Sequence, residues 1–232
     1  MNDPKIIIAL DYHSASQALN MVAQLDPTKC KLKVGKQLFT ATGPAFIESI
    51  QKLGFNVFLD LKFHDIPNTV SKALSVAADL GVWMVNVHAS GGVNMLEAAA
   101  NSLSHYKDRP LLTAVTVLTS LSSMDLRSLG IERSIDDHVL SLAQLSKSCG
   151  LDGVVCSAQE AHLIRQSLGD NFCIVTPGIR PSNASSDDQT RVVTPEHAVQ
   201  LGSDYLVIGR PITAHDNPMS ALNEINKAIL NV

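Results

Sequence analysis

The sequence predicts a single (β/α)8 barrel over residues 1–232, an α/β fold of the TIM-barrel type with its active site at the carboxyl ends of the strands. Eight short apolar segments alternate with eight helix-like segments, which is the count that such a barrel needs. A length of 232 residues is typical of this fold as one domain. Only 17% of the residues are charged and 45% are hydrophobic, as expected when parallel strands are buried on both faces.

The predicted strands are short runs of apolar and β-branched residues. In chain order they are Lys5–Leu10, Cys30–Val34, Asn56–Leu61, Met84–His88, Leu111–Leu118, Gly153–Ser157, Phe172–Thr176 and Tyr205–Ile208. Their nearly continuous apolar character predicts strands covered on both sides.

Helix-like segments lie between these strands, and several carry capping residues at their ends. They are Ser14–Leu25, Pro44–Leu53, Thr69–Leu80, Val93–Ser104, Ile135–Cys149, Ala158–Ser167, Pro195–Leu201 and Met219–Leu230. Ser14 and Thr194 stand where N-caps belong, and glycines follow four helix ends, at Gly54, Gly81, Gly150 and Gly202.

An open doubly wound sheet is the structural alternative. That fold more often has a glycine-rich turn after its first strand, whereas this chain reads Asp11-Tyr-His-Ser-Ala15 there. Two connections are long, Thr119–Ser134 and Arg180–Thr194. Long loops in a compact barrel are usually lids or binding loops, so we expect both near the active site, with Ser182–Thr190 as a closing segment.

Composition and charge argue against several function classes. The net charge of −4 leaves no global basic surface for nucleic acid. The four cysteines, at positions 30, 149, 156 and 173, lack metal-ligand spacing and predict buried thiols in a reducing compartment. The early acidic residue argues against a signal peptide, and no apolar run is long enough for a membrane span. We therefore expect a soluble, cytoplasmic protein without membrane partners.

Polar residues stand at most of the predicted strand ends, which build the active site in this fold. They are Asp11, Lys33, Lys36, Asp60, Lys62, His88, Thr119, Ser157, Arg180 and Arg210. His88 taken alone is as compatible with a buried structural histidine as with a functional one. Several cations and two acids at one rim of a weakly charged protein favour an active site.

The segment Asp60-Leu-Lys-Phe-His-Asp65 places one lysine between two carboxylates. Alternation along a strand puts Asp60 and Lys62 on the same face. Opposite charges favour the protonated ammonium, which suits a proton donor and not a Schiff-base amine. The alternative to a catalytic role, for an isolated Asp-x-Lys pair, is a solvated salt bridge at a strand end.

The last two strands carry the signal for a phosphate site. Thr176-Pro-Gly-Ile-Arg180 and Val207-Ile-Gly-Arg-Pro211 each place a glycine and an arginine where a strand opens into a loop. The loops after strands seven and eight commonly bind phosphate in this fold, and an arginine fork matches phosphate oxygens. The alternative is that both glycines serve tight turns only.

Together these segments resemble the orotidine 5′-monophosphate decarboxylase family over essentially the whole chain. The most specific is Asp60-Leu-Lys-Phe-His-Asp-Ile-Pro-Asn-Thr69. The others occur in the family's order: Leu10-Asp11, Lys31-Leu-Lys-Val-Gly-Lys36, Val85-Asn-Val-His-Ala-Ser-Gly-Gly92, Val117-Leu-Thr-Ser120, Thr176–Arg180 and Ile208-Gly-Arg-Pro211.

The resemblance implies conversion of orotidine 5′-monophosphate to uridine 5′-monophosphate and carbon dioxide in de novo pyrimidine synthesis, with no metal or other cofactor. Lys62 would protonate C6 of the pyrimidine, and Asp60 would lie beside the departing carboxylate. Lys33 would join the charge network and reach the ribose. The remaining implied contacts are Asp11 to the ribose, Thr119 and Ser122 to the pyrimidine, and Arg180, Gln189, Gly209 and Arg210 to the phosphate.

The resemblance also implies a homodimer with shared active sites, in which Asp65 and Thr69 enter the partner's site.

Three alternatives remain. A magnesium-dependent sugar-phosphate decarboxylase or aldolase of the same superfamily, resembling 3-keto-gulonate 6-phosphate decarboxylase, would share Asp-x-Lys-x-x-Asp. It would need an acidic metal ligand where this chain has Lys33. A Schiff-base aldolase would need Lys62 deprotonated, which the flanking acids oppose. A catalytically silent phosphate-binding barrel would have no use for the Asp-Lys-Asp cluster.

Overall fold

A computed structural model describes residues 3–181, 193–230 and 232 of the chain. Its eight strands, all paired in parallel, close into a barrel in sequence order, so the predicted fold class is confirmed. The strands are β1 (Ile6–Ala9), β2 (Lys31–Gly35), β3 (Val57–Phe63), β4 (Met84–His88), β5 (Leu111–Val115), β6 (Gly153–Val155), β7 (Cys173–Thr176) and β8 (Tyr205–Ile208). Closure is made where β1 pairs with β8, with Ile7 opposite Val207.

Helices surround the barrel. A short 3₁₀ helix at Ala89–Gly91 follows β4. The α-helices are α1 (Ala15–Val22), α2 (Lys36–Thr42), α3 (Pro44–Lys52), α4 (Pro67–Asp79), α5 (Val93–Leu103), α6 (Ser123–Ser128), α7 (Ile135–Ser148), α8 (Ala158–Leu168), α9 (Pro195–Gln200), α10 (Arg210–Thr213) and α11 (Pro218–Ile229). None of these helices is both long and apolar enough to cross a membrane.

Alternation along the strands divides the core into two layers. Inside the barrel lies one cluster: Ile7, Ala9, Phe58, Met84, Val115, Val155, Val175 and Val207. The neighbouring strand residues, such as Ile6, Ile8, Leu32 and Leu59, belong to a larger cluster that packs under the helices. Burying each such side chain contributes about 1.5–3 kcal/mol, so the eight strands form a rigid base for the side chains at their ends.

The amino-terminal mouth of the barrel is closed by a buried lysine. Lys31 is fully buried, donates to the Pro4 carbonyl at 2.7 Å and forms an ion pair with Asp3. Its Nζ lies 4.7 Å from the ring centroid of Trp83 and 5.0 Å from that of Tyr205, so two aromatic faces also stabilise the charge. Because of this plug, access to the interior is left to the opposite mouth.

Three short helices were not predicted. α2 follows β2 directly, α6 lies within the predicted loop Thr119–Ser134, and α10 begins at Arg210. Each has seven residues or fewer, too short for a helical hydrophobic period to emerge. Strand β5 ends at Val115 and not at Leu118, because its neighbour β6 offers only three residues for pairing.

Candidate active site

A cavity of about 300 Å³ opens at the carboxyl ends of the strands, a size suited to a small-molecule ligand. Its floor consists of inner-layer side chains, including Phe58, Val155 and Val207. Its polar lining comes from the strand ends and brings together most of the predicted site residues: Asp11, Lys33, Asp60, Lys62, Thr119, Arg180, Gly209 and Arg210.

A β-bulge in β3 positions Lys62. Leu59 pairs with Val85 and Phe63 with Val87, so three residues of β3 stand opposite Asn86 alone. Lys62 lies in this bulge with φ = 53°, and among the described residues it is the non-glycine residue with positive φ. A left-handed conformation costs a residue with a Cβ about 1–2 kcal/mol, and such strain concentrates at functional sites.

A row of alternating charge runs through the site in the order Lys62, Asp60, Lys33 and Asp11. Lys62 Nζ donates to Asp60 Oδ1 at 2.6 Å, and Lys33 Nζ lies 3.2 Å from Asp60 Oδ2. Lys33 Nζ also lies 3.5 Å from Asp11 Oδ1. The predicted proximity of Asp60 and Lys62 is confirmed, although a bulge achieves it where simple strand alternation was expected.

Asp60 is kept ionised although it is almost fully buried. Burial by itself would raise the pKa of its carboxyl group, but the charges of Lys33 and Lys62 and the hydrogen bonds from Lys62 and Asn86 outweigh burial and lower the pKa below its ordinary value. The cavity therefore holds a fixed carboxylate flanked by two ammonium groups.

Asn86 is a member of this site that the sequence reasoning set aside. Its side chain is fully buried, its Nδ2 donates to Asp60 Oδ1 at 2.7 Å, and its Oδ1 accepts from the backbone N–H of Lys62 at 2.7 Å. The available signal was a polar residue in the middle of the apolar strand Met84-Val-Asn-Val-His88.

Two arginines line the other side of the cavity. Arg180 follows β7 and is buried, and its Nη1 donates to the Ile179 carbonyl at 3.0 Å. Arg210 is exposed and begins α10 after β8. Between the arginines and the charge row lies Gly209, where an added Cβ would stand 3.9 Å from Asp11 Oδ2. This side offers two guanidinium groups to an anionic ligand.

His88 ends β4 beside this network, with its ring centroid 5.4 Å from that of His64. Burial, followed by the charges of His64, Lys36 and Lys62, lowers the pKa of His88 to about 4, against a weaker opposing effect of Asp60. His88 is therefore neutral near pH 7, and it is not among the residues that line the cavity.

Some predicted site residues lie outside the cavity. Asp65 and Thr69 are exposed where β3 leads into α4, and the Asp65 carboxylate accepts from the Ile66 N–H at 2.6 Å. Within the described residues, no ion pair joins Asp65 to Lys62. Ser122 is an exposed N-cap of α6, hydrogen-bonded to Asp125. Gln189 and the segment Ser182–Thr190 fall outside the described residues.

The acidic and sulfur-bearing residues do not assemble into a metal-binding group in the part of the chain that the structure describes. The cysteines there are unpaired with one another, and burial raises the pKa of the Cys30 and Cys173 thiols to about 12, so both are protonated. Cys30, Cys149 and Cys156 are buried as predicted, whereas Cys173 is only partly buried.

Comparison with known proteins assigns the family. A sequence model of the orotidine 5′-phosphate decarboxylase / HUMPS family matches residues 4–225. The chain is 58% identical to orotidine 5′-phosphate decarboxylase of Vibrio cholerae serotype O1, over 99% of this chain and all of the relative. It is 58% identical to that of Saccharophagus degradans, over 96% of this chain and 94% of the relative.

Solved structures agree. The crystal structure of orotidine 5′-phosphate decarboxylase from Lactobacillus acidophilus superposes with a TM-score of 0.87 at 38% identity, covering 98% of this chain and 99% of the other. An uncharacterized conserved protein from Geobacillus kaustophilus gives 0.85 at 39% identity, covering 97% and 99%. The chain belongs to the orotidine 5′-phosphate decarboxylase / HUMPS family.

Proposed function

We propose that this protein converts orotidine 5′-monophosphate to uridine 5′-monophosphate and carbon dioxide in the cavity at the carboxyl ends of its strands, as the last step of de novo pyrimidine synthesis. Full-length relatives at 55–58% identity carry the name of this enzyme. The single observation that carries the residue assignment is the 2.6 Å contact between Lys62 Nζ and Asp60 Oδ1 inside a cavity that also holds two arginines.

The substrate phosphate is assigned to the side of the cavity lined by Arg180, Gly209 and Arg210. Guanidinium groups recognise phosphate oxygens by paired, charge-assisted hydrogen bonds. Gln189 is assigned to the same phosphate by family resemblance, although it lies outside the described residues.

The nucleoside then spans the cavity from the arginines to the charge row. Asp11 and Lys33 are assigned to the ribose hydroxyls and Thr119 to the pyrimidine by family resemblance, and all three line the cavity. Ser122 is assigned to the pyrimidine by resemblance only. In the structure its hydroxyl donates to Asp125, so it must change partner to contact the substrate.

The proposed chemistry at C6 of the pyrimidine depends on the ammonium group of Lys62. The bond from C6 to the carboxylate carbon breaks, carbon dioxide leaves, and the electron pair stays on C6 in an sp² orbital that no carbonyl delocalises. The Lys62 ammonium stabilises this developing charge by electrostatics and then transfers its proton to C6, giving uridine 5′-monophosphate. The neutral amine of Lys62 takes a proton back from solvent.

Asp60 acts on the ground state and on Lys62. Its carboxylate accepts a hydrogen bond from the ammonium and holds it in place. By family resemblance the substrate carboxylate is assigned to the neighbourhood of Asp60, where repulsion between the two anions would favour loss of carbon dioxide. Binding of the remote phosphate supplies the free energy to bring the two carboxylates together.

Each active site is proposed to be shared between two copies of the chain. Asp65 and Thr69 are exposed outside their own cavity, and Ile66 between them is 66% exposed. A homodimer would cover Ile66 and carry Asp65 and Thr69 to the partner's site. We place this dimer in the cytoplasm, in keeping with its protonated thiols.

The magnesium-dependent alternative is disfavoured by the site itself. The position in β2 that would need an acidic ligand holds Lys33, whose ammonium pairs with Asp60 at 3.2 Å. A divalent cation there would be repelled by this charge.

The decisive assay is loss of orotidine 5′-monophosphate absorbance with purified protein in excess chelator. Turnover under these conditions supports the proposal. Absence of turnover would overturn it, and magnesium-dependent decarboxylation of a 3-keto sugar phosphate would establish the alternative.

A further inference from the structure

In the bulge of β3, the backbone N–H of Lys62 donates to a side chain of the neighbouring strand β4 and not to its main chain. Between the pairs Leu59–Val85 and Phe63–Val87, three residues of β3 face one residue of β4. The Lys62 N–H points instead at the side chain of that residue, Asn86, whose Oδ1 accepts it at 2.7 Å. An unsatisfied N–H at this depth would be strongly unfavourable, so the amide oxygen helps to hold Lys62 at φ = 53°.

The other end of the same amide contacts the catalytic carboxylate. Asn86 Nδ2 donates to Asp60 Oδ1 at 2.7 Å, and Lys62 Nζ donates to that same oxygen at 2.6 Å. One side chain therefore fixes the backbone of the proton donor and the oxygen that orients its ammonium. A group with one acceptor and one donor about 2 Å apart is needed, which an amide supplies and a carboxylate or an aliphatic side chain does not.

We propose that Asn86 is a positioning residue that locks Asp60 and Lys62 into their reactive arrangement by bridging the bulge of β3. The inference rests on the proposed decarboxylation. Asn86 is fully buried beneath this pair and is not part of the cavity lining, so it acts through Asp60 and Lys62 and not on the substrate.

The test compares Asn86→Leu, which keeps the branched shape of the side chain but loses both hydrogen bonds, with wild type. Misplacement of a reacting group by about 1 Å lowers rates about 10²-fold, so we expect kcat to fall about 10²-fold. The dissociation constant of uridine 5′-monophosphate should stay within about threefold of wild type, because the arginines that bind phosphate lie on the opposite side of the cavity.

Thr113→Val is the matched control. Thr113 is the register partner of Asn86 on β5 and is equally buried. Within the part of the chain that the structure describes, its hydroxyl donates to the Val85 carbonyl at 3.4 Å. This variant should keep wild-type kcat. If Asn86→Leu does not fold, Asn86→Thr takes its place, since a β-branched residue suits a strand, with an expected loss in kcat of at least about tenfold.

The outcomes separate the positioning role from the activity. A wild-type protein without turnover contradicts the proposed decarboxylation itself. With an active wild type, a folded Asn86 variant of unchanged kcat overturns the positioning role. A variant in which kcat and product affinity fall by the same factor also overturns it, because that pattern indicates general damage to the cavity.

Discussion

Lys62 differs from Lys33 and Lys36 at the barrel mouth in its backbone conformation, and it shares its charged partner Asp60 with Lys33. Its φ of 53° lifts it out of the regular pleat, while its ammonium remains 2.6 Å from Asp60. The site thus combines local backbone strain with a strong charge-assisted hydrogen bond. In the proposed mechanism, both features fix Lys62 as the proton donor where negative charge develops.

Lys62→Ala should abolish turnover while product binding persists. In the proposed mechanism this variant loses the group that stabilises and protonates C6, so kcat should fall by far more than the roughly 10²–10⁴-fold of ordinary acid catalysis. Steady-state kinetics and calorimetric titration with uridine 5′-monophosphate measure the two effects. Lys36→Ala, which removes an exposed ammonium from the same rim outside the cavity lining, is the control. A Lys62→Ala variant with a tenth of wild-type kcat would place the proton donor elsewhere.

His88 should make stability depend on pH in a defined window. Its pKa is about 4 in the folded protein, held down by burial and by His64, Lys36 and Lys62, with Asp60 opposing, against about 6.5 unfolded. Between these values the unfolded chain binds more protons, so stability falls as pH drops from about 6.5 to 4. Asp60, whose pKa is also lowered, contributes to the pH dependence of stability only below about pH 4.

The measurement is the urea midpoint at pH 7 and pH 5 for wild type and His88→Gln. The decrease on acidification should be smaller in His88→Gln than in wild type. The exposed His105→Gln variant should behave like wild type. An equal decrease in the wild type and the His88 variant would show that His88 titrates normally in the folded protein.

At the scale of elements, the end of β2 is shaped to admit the Lys33 ammonium. A Cβ on Gly35 would lie 3.2 Å from Lys33 Nζ and 3.9 Å from Asp11 Oδ1. The backbone of Gly35 has φ = −90°, which any residue adopts, so a side chain here would act through its contact with Lys33 and not through backbone strain.

Gly35→Ala should therefore impair activity more than stability. The added methyl shifts the Lys33 ammonium by a few tenths of an ångström relative to Asp11 and Asp60, and we expect kcat/KM to fall about tenfold, within the range for a misplaced charged group. The free energy of unfolding should change by less than about 0.5 kcal/mol, as at sites without core or backbone damage. Unchanged kcat/KM would mean that Lys33 shifts without consequence for the network.

The same elements show what the sequence could predict. All eight strands follow from apolar runs, and the strand ends then place Asp60, Lys62 and Arg210 at one mouth. The bulge at Lys62 could not be predicted, because a lysine with positive φ is set by tertiary contacts and leaves no local pattern. Asn86 was missed for the same reason, since its partners come from another strand.

At the scale of the whole molecule, the two mouths of the barrel are specialised differently. Lys31, Trp83 and Tyr205 close the amino-terminal mouth, whereas the carboxyl-terminal mouth keeps the cavity open. Beside the open mouth, Asp65 and Thr69 are exposed and do not line the cavity of their own subunit, although both belong to the segment that most specifically resembles the family. Pro67 disfavours a helical Ile66, which has φ = −57° and ψ = 150°, so the chain runs extended here before α4 begins.

A shared active site predicts complementation between inactive variants. Mixing Asp65→Ala with Lys62→Ala gives heterodimers in which one site has both defects and the other has neither, so random exchange should restore up to about a quarter of wild-type activity. Lys62→Ala mixed with Asp60→Ala is the control, because both changes fall in the same half of the site and neither heterodimer site is intact. If mass spectrometry verifies subunit exchange and the first mixture stays inactive, Asp65 acts within its own subunit and the shared site is wrong.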